Sequence, residues 1–450
     1  MCSVVKVPLL RWCYRLTFPV IAGLVSPYYA LRLSKRGSPS EGLAERMARY
    51  SRSTREKVGS GVDLWIHAVS VGEVLVALAL LRELRKKAPA LWVALTVTTI
   101  TGRRVALGAA DPRTVVLWSP VDFPGVVKRT FDLLRPRVLV LVETEVWPNY
   151  LWEAKRRRVP VLLLNARLSR RTERWYRRFP EVFRPLLQGL SLVLAQAPED
   201  VERLVVAGFP PEEIFVTGNL KYDVADLASG GAELHCSWWK GCGWPQDTLV
   251  LLAGSTHFGE ERVLLDLYRD ARRRHPKLRL ILAPRHVERS PEVRELCREA
   301  GFSVTRRTEL AHSPAPDSPP DVLLLDTTGE LRFLYEKATV VFIGKSLCAH
   351  GGQNFLEAAC AGKPIVVGPH MENFEMLVRE FRKERALLQA ADRKELAAFL
   401  EDLLASEPMR SEFGKRAHAL FARNVGAAAR SADVVLGLLR TQQTTSAGNG

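Results

Sequence analysis

Short runs of apolar residues alternate with longer amphipathic stretches along most of the chain, beginning near residue 60. In the first half the apolar runs read LWIHAVS, LWVALTVTT, TVVLWSP, VLVLVET, VPVLLLNA and SLVLAQA. A second set follows with TLVLLAGST, LRLILAPRH, VLLLDT, TVVFIG and PIVVGP. Uninterrupted apolar strands separated by charged helical stretches are typical of parallel sheets. The pattern therefore predicts an α/β protein with two doubly wound, Rossmann-like domains that face a cleft.

Changes in composition mark the limits of the predicted domains. The stretch GGAELHCSWWKGCGWPQD has no periodicity and separates the two sets of strands, and the C-terminal TQQTTSAGNG is polar and typical of a disordered end. We expect an N-terminal membrane anchor at residues 1–36 and a first domain at residues 37–228. A linker at 229–246, a second domain at 247–430 and a flexible tail at 431–450 follow. In doubly wound sheets, ligands bind beyond the carboxyl ends of the strands.

Residues 16–31 read LTFPVIAGLVSPYYAL and contain no charged side chain. A helix that crosses a bilayer needs about 20 apolar residues, a length reached here only by including Arg11 and Arg15, whose long side chains can extend to the headgroups. Lys35 and Arg36 follow, and no small-residue cleavage site of a signal peptide is evident. The pattern favours a single-pass or monotopic membrane anchor, with a buried helical hairpin as the alternative.

Charge and cysteine content narrow the classes of function. The chain has a formal net charge of +16 and a pI near 9.7, which favours anionic partners such as phosphorylated substrates, an anionic membrane surface or nucleic acid. Its hydrophobic content of 47% is that of a folded protein and excludes a disordered one. The seven cysteines form no Cys-x-x-Cys pair, which argues against structural zinc and indicates reduced, cytosolic thiols.

Three motifs of the first half place polar residues after predicted strands. HAVSVGE has Ser70 and Gly72 for a tight turn, and it puts Glu73 near a helix N-terminus, where an ionised carboxylate is favoured and can act as a base. The alternative for Glu73 is helix capping without chemistry. ETEVWPN carries two carboxylates, the first at Glu143, which share one side of an extended chain unless one caps a helix and the other is solvated. Lys221 in TGNLKYD is either solvated or paired with an anion.

Three motifs of the second half have the same placement. AGST is a small-residue turn at Ser255 and Thr256 that offers backbone N–H groups to an anion. APRHVER places Arg285 and His286 after the next strand, where a guanidinium can bind phosphate through two parallel hydrogen bonds. DTTGEL adds a Gly-Glu turn after VLLL. Each motif alone is a weak signal, and their shared position after strands indicates one binding edge.

The last motif, GGQNFLEAACAGKPIVVGP, opens with paired glycines. Gly351 and Gly352 allow the backbone to approach a ligand closely. A helix predicted over residues 354–361 would present free N–H groups and its dipole to a phosphate. Glu357, one turn into that helix, suits hydrogen bonds from sugar hydroxyls. The stretch predicts a nucleotide site, and a glycine-bearing turn before an ordinary helix is the alternative.

Eight motifs, in order, resemble the 3-deoxy-D-manno-oct-2-ulosonic acid (Kdo) transferases of lipid A assembly. They are HAVSVGE, ETEVWPN, LLLNARLSRRT, TGNLKYD, AGSTHFGEE, PRHVER, DTTGELRFLY and GGQNFLEAACAGKPIVVGPHMENF. The resemblance reaches from the N-terminal segment to about residue 425. It implies a GT-B glycosyltransferase that moves Kdo from CMP-Kdo to a lipid A precursor, lipid IVA, in lipopolysaccharide synthesis at the cytoplasmic face of the cell inner membrane. The acceptor would bind the first domain and the CMP-sugar the second.

The resemblance also implies roles for individual residues. Glu73 would be the general base, and Glu143 and Lys221 would support the transition state. CMP would be bound by Pro284, Arg285, Thr328, Gly329, Glu330, Asn354, Phe355, Leu356 and Glu357. The chain departs from the usual family residue at Phe258, Thr328, Lys345, Gln353 and Phe355. None of these positions carries a proposed catalytic residue.

The expected reaction is a direct displacement with inversion, without a metal or other cofactor. No Asp-x-Asp metal motif occurs in the chain, and the single phosphate of CMP can be stabilised by Arg285 and a helix end. Rival interpretations are a GT-B enzyme that uses a UDP-sugar and a non-enzymatic membrane-associated protein. No Gly-x-Gly-x-x-Gly follows a strand, which argues against a dehydrogenase. The basic runs lack a series of interleaved aromatic residues, which argues against a nucleic-acid partner.

Overall fold

The computed structural model describes residues 11–12, 14–18, 42–168, 170–228, 237–311 and 318–447. The chain divides into two compact units, the first formed by Met1–Val224 and Gly426–Gly450 and the second by Ala225–Val425. Each unit contains one seven-stranded sheet in which every pair of neighbouring strands is parallel. The predicted α/β class with two Rossmann-like parallel-sheet domains is therefore confirmed.

The first sheet has the strand order β3-β2-β1-β4-β5-β6-β7. Its strands are β1 Leu64–Ala68, β2 Val93–Val97, β3 Thr114–Trp118, β4 Val138–Val142, β5 Val161–Ala166, β6 Leu192–Ala195 and β7 Ile214–Val216. The direction of winding reverses between β1 and β4, because β2 and β3 extend the sheet on one side and β4 starts the other. Ligands of such folds bind beyond the carboxyl ends of the strands at this switch point.

The second sheet has the order β10-β11-β9-β8-β12-β13-β14. Its strands are β8 Leu249–Thr256, β9 Leu278–Pro284, β10 Val304–Arg306, β11 Val322–Leu324, β12 Val340–Ile343, β13 Ile365–Val367 and β14 Leu388–Gln389. Here the winding reverses between β8 and β12. The loops that follow these two strands therefore carry the binding edge of the second unit.

Helices connect successive strands and cover the sheets. In the first unit they are α1 Leu43–Arg46, α2 Arg52–Val58, α3 Val71–Lys87, α4 Ile100–Ala109, α5 Pro124–Leu134, α6 Pro148–Arg157, α7 Arg170–Arg178, α8 Pro180–Leu187, α9 Pro198–Ala207 and α10 Lys221–Ala228, the last of which runs into the second unit. Next come α11 Glu260–Arg274, α12 Ser290–Glu299, α13 Leu331–Leu334, α14 Leu356–Cys360, α15 Glu375–Lys383, α16 Arg393–Ala405, α17 Glu407–Asn424 and α18 Ala427–Ala447. Within the described residues, 3-10 turns lie at Pro211–Glu213, Ser237–Cys242, Val287–Arg289, Glu309–Ala311, Tyr335–Lys337 and Glu372–Phe374.

Alternate side chains of the central strands point to opposite faces of the first sheet, as the two-residue period of a strand requires. Trp65 and Leu139 belong to one apolar cluster, and Leu64 and Val138 belong to the other. Both faces are covered, which explains why these strands read as uninterrupted apolar runs.

The C-terminal segment corrects the expectation of a flexible tail at residues 431–450. Its described part is the helix α18, which packs beside α3 against the first sheet. Val435 and Leu439 are buried there. The helix start is held by Asp223, whose carboxylate accepts hydrogen bonds from the backbone N–H groups of Gly426 (2.9 Å) and Ala428 (3.3 Å). The small and apolar residues of this segment thus form a buried stripe rather than a solvated end.

The predicted linker at 229–246 also differs from the structure where it is described. Trp238 and Cys242 are buried, and the Trp244 indole donates a hydrogen bond to the Pro320 carbonyl (2.7 Å). Residues 237–246 therefore belong to the second unit, because their aromatic side chains pack on it. The anchor predicted over residues 1–36, which includes the charge-free run at 16–31, lies mostly outside the described residues. Among the helices that are described, none is both long and apolar enough to cross a bilayer.

Candidate active site

Ser70 and Glu73 form a capping box at the start of α3, directly after β1. Ser70 is the N-cap residue, and its hydroxyl accepts a hydrogen bond from the Glu73 backbone N–H (3.4 Å). In return, the Glu73 carboxylate accepts hydrogen bonds from the Val69 backbone N–H (2.8 Å) and the Ser70 hydroxyl (2.7 Å). The capping alternative of the sequence analysis is therefore realised in the structure, and it fixes the position of this carboxylate.

Burial decides the acidity of Glu73. The residue is 8% exposed, and this burial raises the pKa of its carboxyl group, whereas the hydrogen bonds from Val69 and Ser70 lower it and the charge of Glu143 raises it. The prediction that the helix N-terminus favours the ionised form of Glu73 is wrong, because desolvation outweighs the favourable contacts. A carboxylate with a raised pKa is a stronger base once it is ionised.

Glu143 lies beyond the end of β4, on the other side of the switch point. Its φ of 60° is in the left-handed region, so the chain turns at this residue. The expected extended course of the ETE motif is therefore wrong. The Glu143 carboxylate forms an ion pair with the Lys221 ammonium, with 2.9 Å between Oε1 and Nζ. Of the two alternatives for Lys221, solvated or paired with an anion, the structure has the pair.

Asn165 joins these elements and was missed from the sequence. It ends the apolar stretch of β5 with a φ of 56° and is fully buried. Its amide Nδ2 approaches Glu143 Oε1 at 3.5 Å, and its Oδ1 accepts a hydrogen bond from the Leu220 backbone N–H (3.1 Å), one residue before Lys221. The only signal in the sequence was an amide at the end of an otherwise apolar strand.

Glu145 is the third carboxylate of the cluster. Burial and the negative charges of Glu73 and Glu143 raise its pKa to about 7, and a hydrogen bond donated by the Trp147 indole (3.0 Å) opposes this rise. Three carboxylates and one lysine therefore converge at the switch point of the first sheet. Perturbed carboxyl groups such as Glu73 and Glu145 are frequent at functional sites.

A cavity of about 170 Å³ lies beside this cluster, and Trp147 lines it. His67 and Asp122 also line it; both are buried, and burial lowers the pKa of His67 to about 3 and raises that of Asp122 to about 7. His67 Nδ1 lies within hydrogen-bond distance of the Thr96 and Ser119 hydroxyls (3.0 and 2.9 Å). In the described structure the buried atoms His67 Nε2 and Asp122 Oδ1 have no hydrogen-bond partner.

In the second unit, Ser255 and Thr256 lie at the end of β8. Ser255 has a φ of 58° at an irregularity in the strand pairing. The Thr256 hydroxyl is buried and donates to the Glu261 carboxylate (2.9 Å), which in turn pairs with Arg289 (2.9 Å). Thr256 therefore belongs to a buried polar network, and its hydroxyl is not available to an anion.

The side chains of Arg285 and His286 are exposed after β9, and Pro284 is the buried last residue of that strand. The Arg285 backbone N–H donates to the Thr256 carbonyl (3.0 Å). His286 packs edge-on against His257, with 5.8 Å between the ring centroids. Exposure leaves the Arg285 guanidinium accessible to a phosphate.

Thr328, Gly329 and Glu330 form the turn before α13. Thr328 and Gly329 are exposed, and Gly329 has a φ of 87°. The Glu330 carboxylate pairs with Arg307 (2.8 Å) and accepts a hydrogen bond from the Thr327 hydroxyl. This pairing fixes Glu330, so the accessible groups of the turn are those of Thr328 and Gly329.

The paired glycines serve the shape of their own loop. Gly351 and Gly352 have φ values of 109° and 71°, and an added Cβ would lie 2.6 Å from Asn373 Nδ2 or 2.4 Å from Met371 Sδ, respectively. Their backbone N–H groups donate to Glu372 (2.6 Å) and to the Lys345 carbonyl (2.9 Å). The loop therefore uses both N–H groups itself, and the close approach of this backbone to a ligand stays a prediction.

The helix after this loop is α14, which spans Leu356–Cys360 and is shorter than the predicted 354–361. Phe355 and Leu356 are fully buried, so neither presents its side chain to a ligand. The Asn354 side chain accepts a hydrogen bond from the Leu356 backbone N–H (3.2 Å). Burial raises the pKa of Glu357, and the positive charge of Arg332 opposes this rise.

Glu260 is a buried carboxylate at the switch point of the second sheet that the sequence analysis missed. It is 0% exposed and accepts four backbone hydrogen bonds, from His257 (2.8 Å), Lys345 (2.7 Å), Ser346 (2.9 Å) and Leu347 (2.9 Å). It thus ties the start of α11 to the loop after β12. The sequence signal was an acidic pair after the AGST turn.

One group of side chains in the described part of the chain is suited to a metal ion, namely His350, His370 and Glu372. No local motif of the sequence connects these residues, because two separate loops bring them together. They lie beside the paired glycines.

Two parallel, doubly wound sheets with polar loops at their switch points define a two-domain, Rossmann-like fold of the GT-B type. Solved structures agree on the fold. UDP-GlcNAc 2-epimerase from Neisseria meningitidis, bound to UDP-GlcNAc, has a TM-score of 0.58 at 14% identity and covers 84% of this chain and 99% of that chain. A glycosyltransferase from Rickettsia africae has a TM-score of 0.55 at 11% identity and covers 86% and 99%.

Sequence comparisons give the family. The family model described as 3-deoxy-D-manno-octulosonic-acid transferase (kdotransferase) matches residues 41–224, and that of the group 1 glycosyl transferases matches residues 321–419. A 3-deoxy-D-manno-octulosonic acid transferase of Bordetella pertussis is 35% identical and covers 94% of this chain and 98% of its own length. Its Haemophilus influenzae counterpart is 30% identical with the same coverage. The chain belongs to the 3-deoxy-D-manno-octulosonic acid transferase family and is a glycosyltransferase, as its motifs predicted.

Proposed function

We propose that this glycosyltransferase moves Kdo from CMP-Kdo to a hydroxyl group of the lipid A precursor lipid IVA, with inversion and without a metal ion. The names of its relatives support Kdo as the transferred sugar. The observation that carries the proposal is the buried carboxylate of Glu73, held at the switch point of the first sheet with a raised pKa.

Glu73 acts as the general base in this mechanism. Its carboxylate takes the proton of the acceptor hydroxyl while the hydroxyl oxygen forms a bond to the anomeric carbon of Kdo. The bond between that carbon and the phosphate oxygen breaks, and CMP leaves with the electron pair. Glu143 holds the Lys221 ammonium, which offsets the negative charge of the Kdo carboxylate or of the leaving phosphate.

The cavity lined by His67 and Asp122 receives a polar group of the acceptor. When the Nδ1 atom of neutral His67 accepts a hydrogen bond from a hydroxyl group, the ring carries its proton on Nε2. That N–H can then donate a hydrogen bond. A sugar hydroxyl can accept that hydrogen bond and donate to Asp122 Oδ1. Trp147 and Tyr150 provide the apolar part of the lining.

We assign CMP binding to the carboxyl edge of the second sheet. Arg285, Thr328 and Gly329 are exposed there, and a guanidinium is suited to two parallel hydrogen bonds with phosphate. Asn354 and Glu357 contribute side chains from the start of α14, whereas Phe355 and Leu356 are buried and support this segment from the core. Because one phosphate carries the leaving charge, these groups suffice without a metal ion.

The acceptor requires the protein to work at a membrane, and we place it on the cytoplasmic face of the cell inner membrane. The apolar residues 16–31 form the anchor of this proposal. Helix α7 adds a second contact, because Trp175 is 53% exposed and stacks on Phe179, which is 42% exposed, beside Arg174 and Arg177. Exposed aromatic residues next to arginines are typical of interfaces with anionic lipid.

The decisive experiment incubates detergent-purified protein with CMP-Kdo and lipid IVA in the presence of a metal chelator. Mass spectrometry should show the acceptor heavier by one or more Kdo units. Product that forms only after metal is restored would contradict the metal-independent mechanism. No product from folded protein and intact CMP-Kdo, but product from a UDP-sugar, would replace the donor assignment.

A further inference from the structure

Two loops of the second unit bring three ligand-type side chains together. His350 lies in the loop after β12, and His370 and Glu372 lie in the loop after β13. His350 Nδ1 is 3.0 Å from Glu372 Oε1, and His370 Nδ1 is 3.5 Å from the same oxygen. The two imidazole rings are packed with 3.9 Å between their centroids. None of these side chains has a part in the transfer mechanism above.

We infer that His350, His370 and Glu372 form a binding site for one divalent transition-metal ion, Zn²⁺ in particular. Zinc bonds to imidazole nitrogen and carboxylate oxygen are about 2.0–2.2 Å long, so two ligand atoms of a tetrahedral site are about 3.3–3.5 Å apart. The separations of 3.0 and 3.5 Å are close to this edge length. A set of two imidazoles and one carboxylate also binds Zn²⁺ in preference to Mg²⁺ or Ca²⁺.

Hydrogen bonds of the backbone hold the ligands in place before any ion binds. The second oxygen of Glu372 accepts a hydrogen bond from the Gly351 N–H (2.6 Å), and the Asn373 N–H donates to the Gly351 carbonyl (3.1 Å). The His370 N–H donates to the Ser346 carbonyl (2.9 Å). Such outer contacts orient a ligating carboxylate and reduce the entropy lost on binding.

The site is open to solvent, since the His350 side chain is 74% exposed and that of Glu372 is 54% exposed. A metal ion can therefore enter, and its fourth coordination position stays available to water. The three protein ligands match the number found in sites with one open position.

Bound zinc would restrict the motion of the loop that leads from Lys345 to Asn354. Asn354 and Glu357 follow this loop and belong to the proposed CMP site, so zinc should tighten CMP binding without entering the chemistry. This consequence depends on the proposed function, whereas zinc binding itself does not. The transfer reaction remains possible in chelator, with weaker binding of the donor.

The test titrates the full chain, purified in detergent and stripped of metal, with Zn²⁺ in equilibrium dialysis. We expect one equivalent to bind, with an affinity at least about 100-fold lower in His370→Ala and in His350→Ala, because loss of a ligand costs at least as much as loss of its outer partner. His418→Ala, an exposed histidine on α17, is the matched control and should bind as the wild type does.

The exposed thiol of Cys348, two residues before His350, is the competing ligand in this titration. Cys348→Ser should keep the bound equivalent, and its loss there would overturn the ligand assignment. Unchanged Zn²⁺ binding in both histidine variants would overturn the site itself. Tighter CMP binding with Zn²⁺ in the wild type, but not in His370→Ala, would support the coupling. A site that binds zinc without this change would overturn the coupling alone.

Discussion

At the residue scale, Glu73 shows how one side chain combines a structural and a chemical role. Its capping hydrogen bonds hold the carboxylate at the end of β1, while its burial raises its pKa. The hydrogen bonds that cap the helix are therefore the same ones that hold the carboxylate in place to act as a base. The capping and catalytic alternatives for this residue are therefore compatible.

The Glu73→Gln variant should separate these roles. Glutamine keeps an oxygen for the Val69 N–H but cannot accept a proton, so transfer should fall by at least about 10²-fold while CMP affinity and the unfolding temperature stay near wild type. Initial rates with CMP-Kdo and lipid IVA measure the effect. Glu83→Gln, on the same helix and paired with Lys86 at the surface, is the control. A Glu73→Gln enzyme with wild-type transfer would contradict the base assignment.

Glu145 should make stability depend on pH in a predictable direction. Its pKa is about 7 in the folded protein against an ordinary value of 4.5, so between these values the folded state keeps a proton that the unfolded state releases. Stability from this group is therefore present at low pH and lost as pH rises from about 4.5 to about 7.

The Glu145→Gln variant lacks this titration and can still accept the Trp147 hydrogen bond. Thermal denaturation in steps of pH measures the unfolding temperatures of both proteins. The unfolding temperature of the variant should rise relative to that of the wild type between pH 4.5 and about 7, and the difference should stay constant above this window. A difference between the two proteins that does not change with pH would refute the assigned pKa.

At the scale of elements, loops at the switch points are held by buried side chains rather than by regular pairing. Glu260 is the strongest case, because four backbone N–H groups converge on its carboxylate. The short turn at Ser255, the start of α11 and the loop after β12 are thereby fixed to each other. The CMP-binding residues that we propose follow these same loops.

Replacing Glu260 by alanine should destabilise the second unit by at least about 3 kcal/mol, because several buried N–H groups lose their acceptor. Chemical denaturation of the purified protein measures this loss. Glu407→Ala, an exposed acidic residue in the first turn of α17, should change stability by less than about 0.5 kcal/mol. Equal effects of both substitutions would mean that the Glu260 contacts contribute little.

Helix α18 should be required by the first unit. Deletion of residues 426–450 removes the buried side chains of Val435 and Leu439 from the sheet and leaves Asp223 without its N–H donors. We expect a loss of about 3–6 kcal/mol from the two apolar side chains and reduced transfer, because Lys221 precedes Asp223 on α10. Thermal unfolding and rate measurements test this, with deletion of 448–450 as the control. A fully stable truncated protein would show that α18 is dispensable.

At the scale of the whole molecule, the charge of +16 should act at the membrane surface. The double substitution Trp175→Ala and Phe179→Ala should lower partition onto vesicles with anionic lipid by about 10-fold or more, and added salt should weaken the binding of both proteins. Vesicle sedimentation measures the partition. Phe258→Ala, which removes an exposed aromatic residue of the second unit, should leave it unchanged. Equal binding by all variants would exclude α7 from the membrane contact.

Eleven of the fourteen strands correspond to apolar runs in the sequence, and the three that do not are β7, β10 and β14. All three are short edge strands, which pair on one side only and therefore need no uninterrupted apolar run. The flexible tail was mispredicted for a related reason. The stripe of α18 that packs on the first sheet contains several alanines, which carry little hydrophobic signal of their own.

The sequence by itself determined the two parallel sheets, the family and the positions of Glu73, Glu143 and Lys221, because continuous apolar strands and strand-end motifs are local patterns. Only the tertiary structure decided that Glu143 pairs directly with Lys221 beside Asn165, that Glu260 binds the loops of the second unit together, and that His350 lies next to His370 and Glu372. Such contacts join residues far apart in the chain. The raised pKa values of Glu73 and Glu145 likewise follow from burial, which no local pattern encodes.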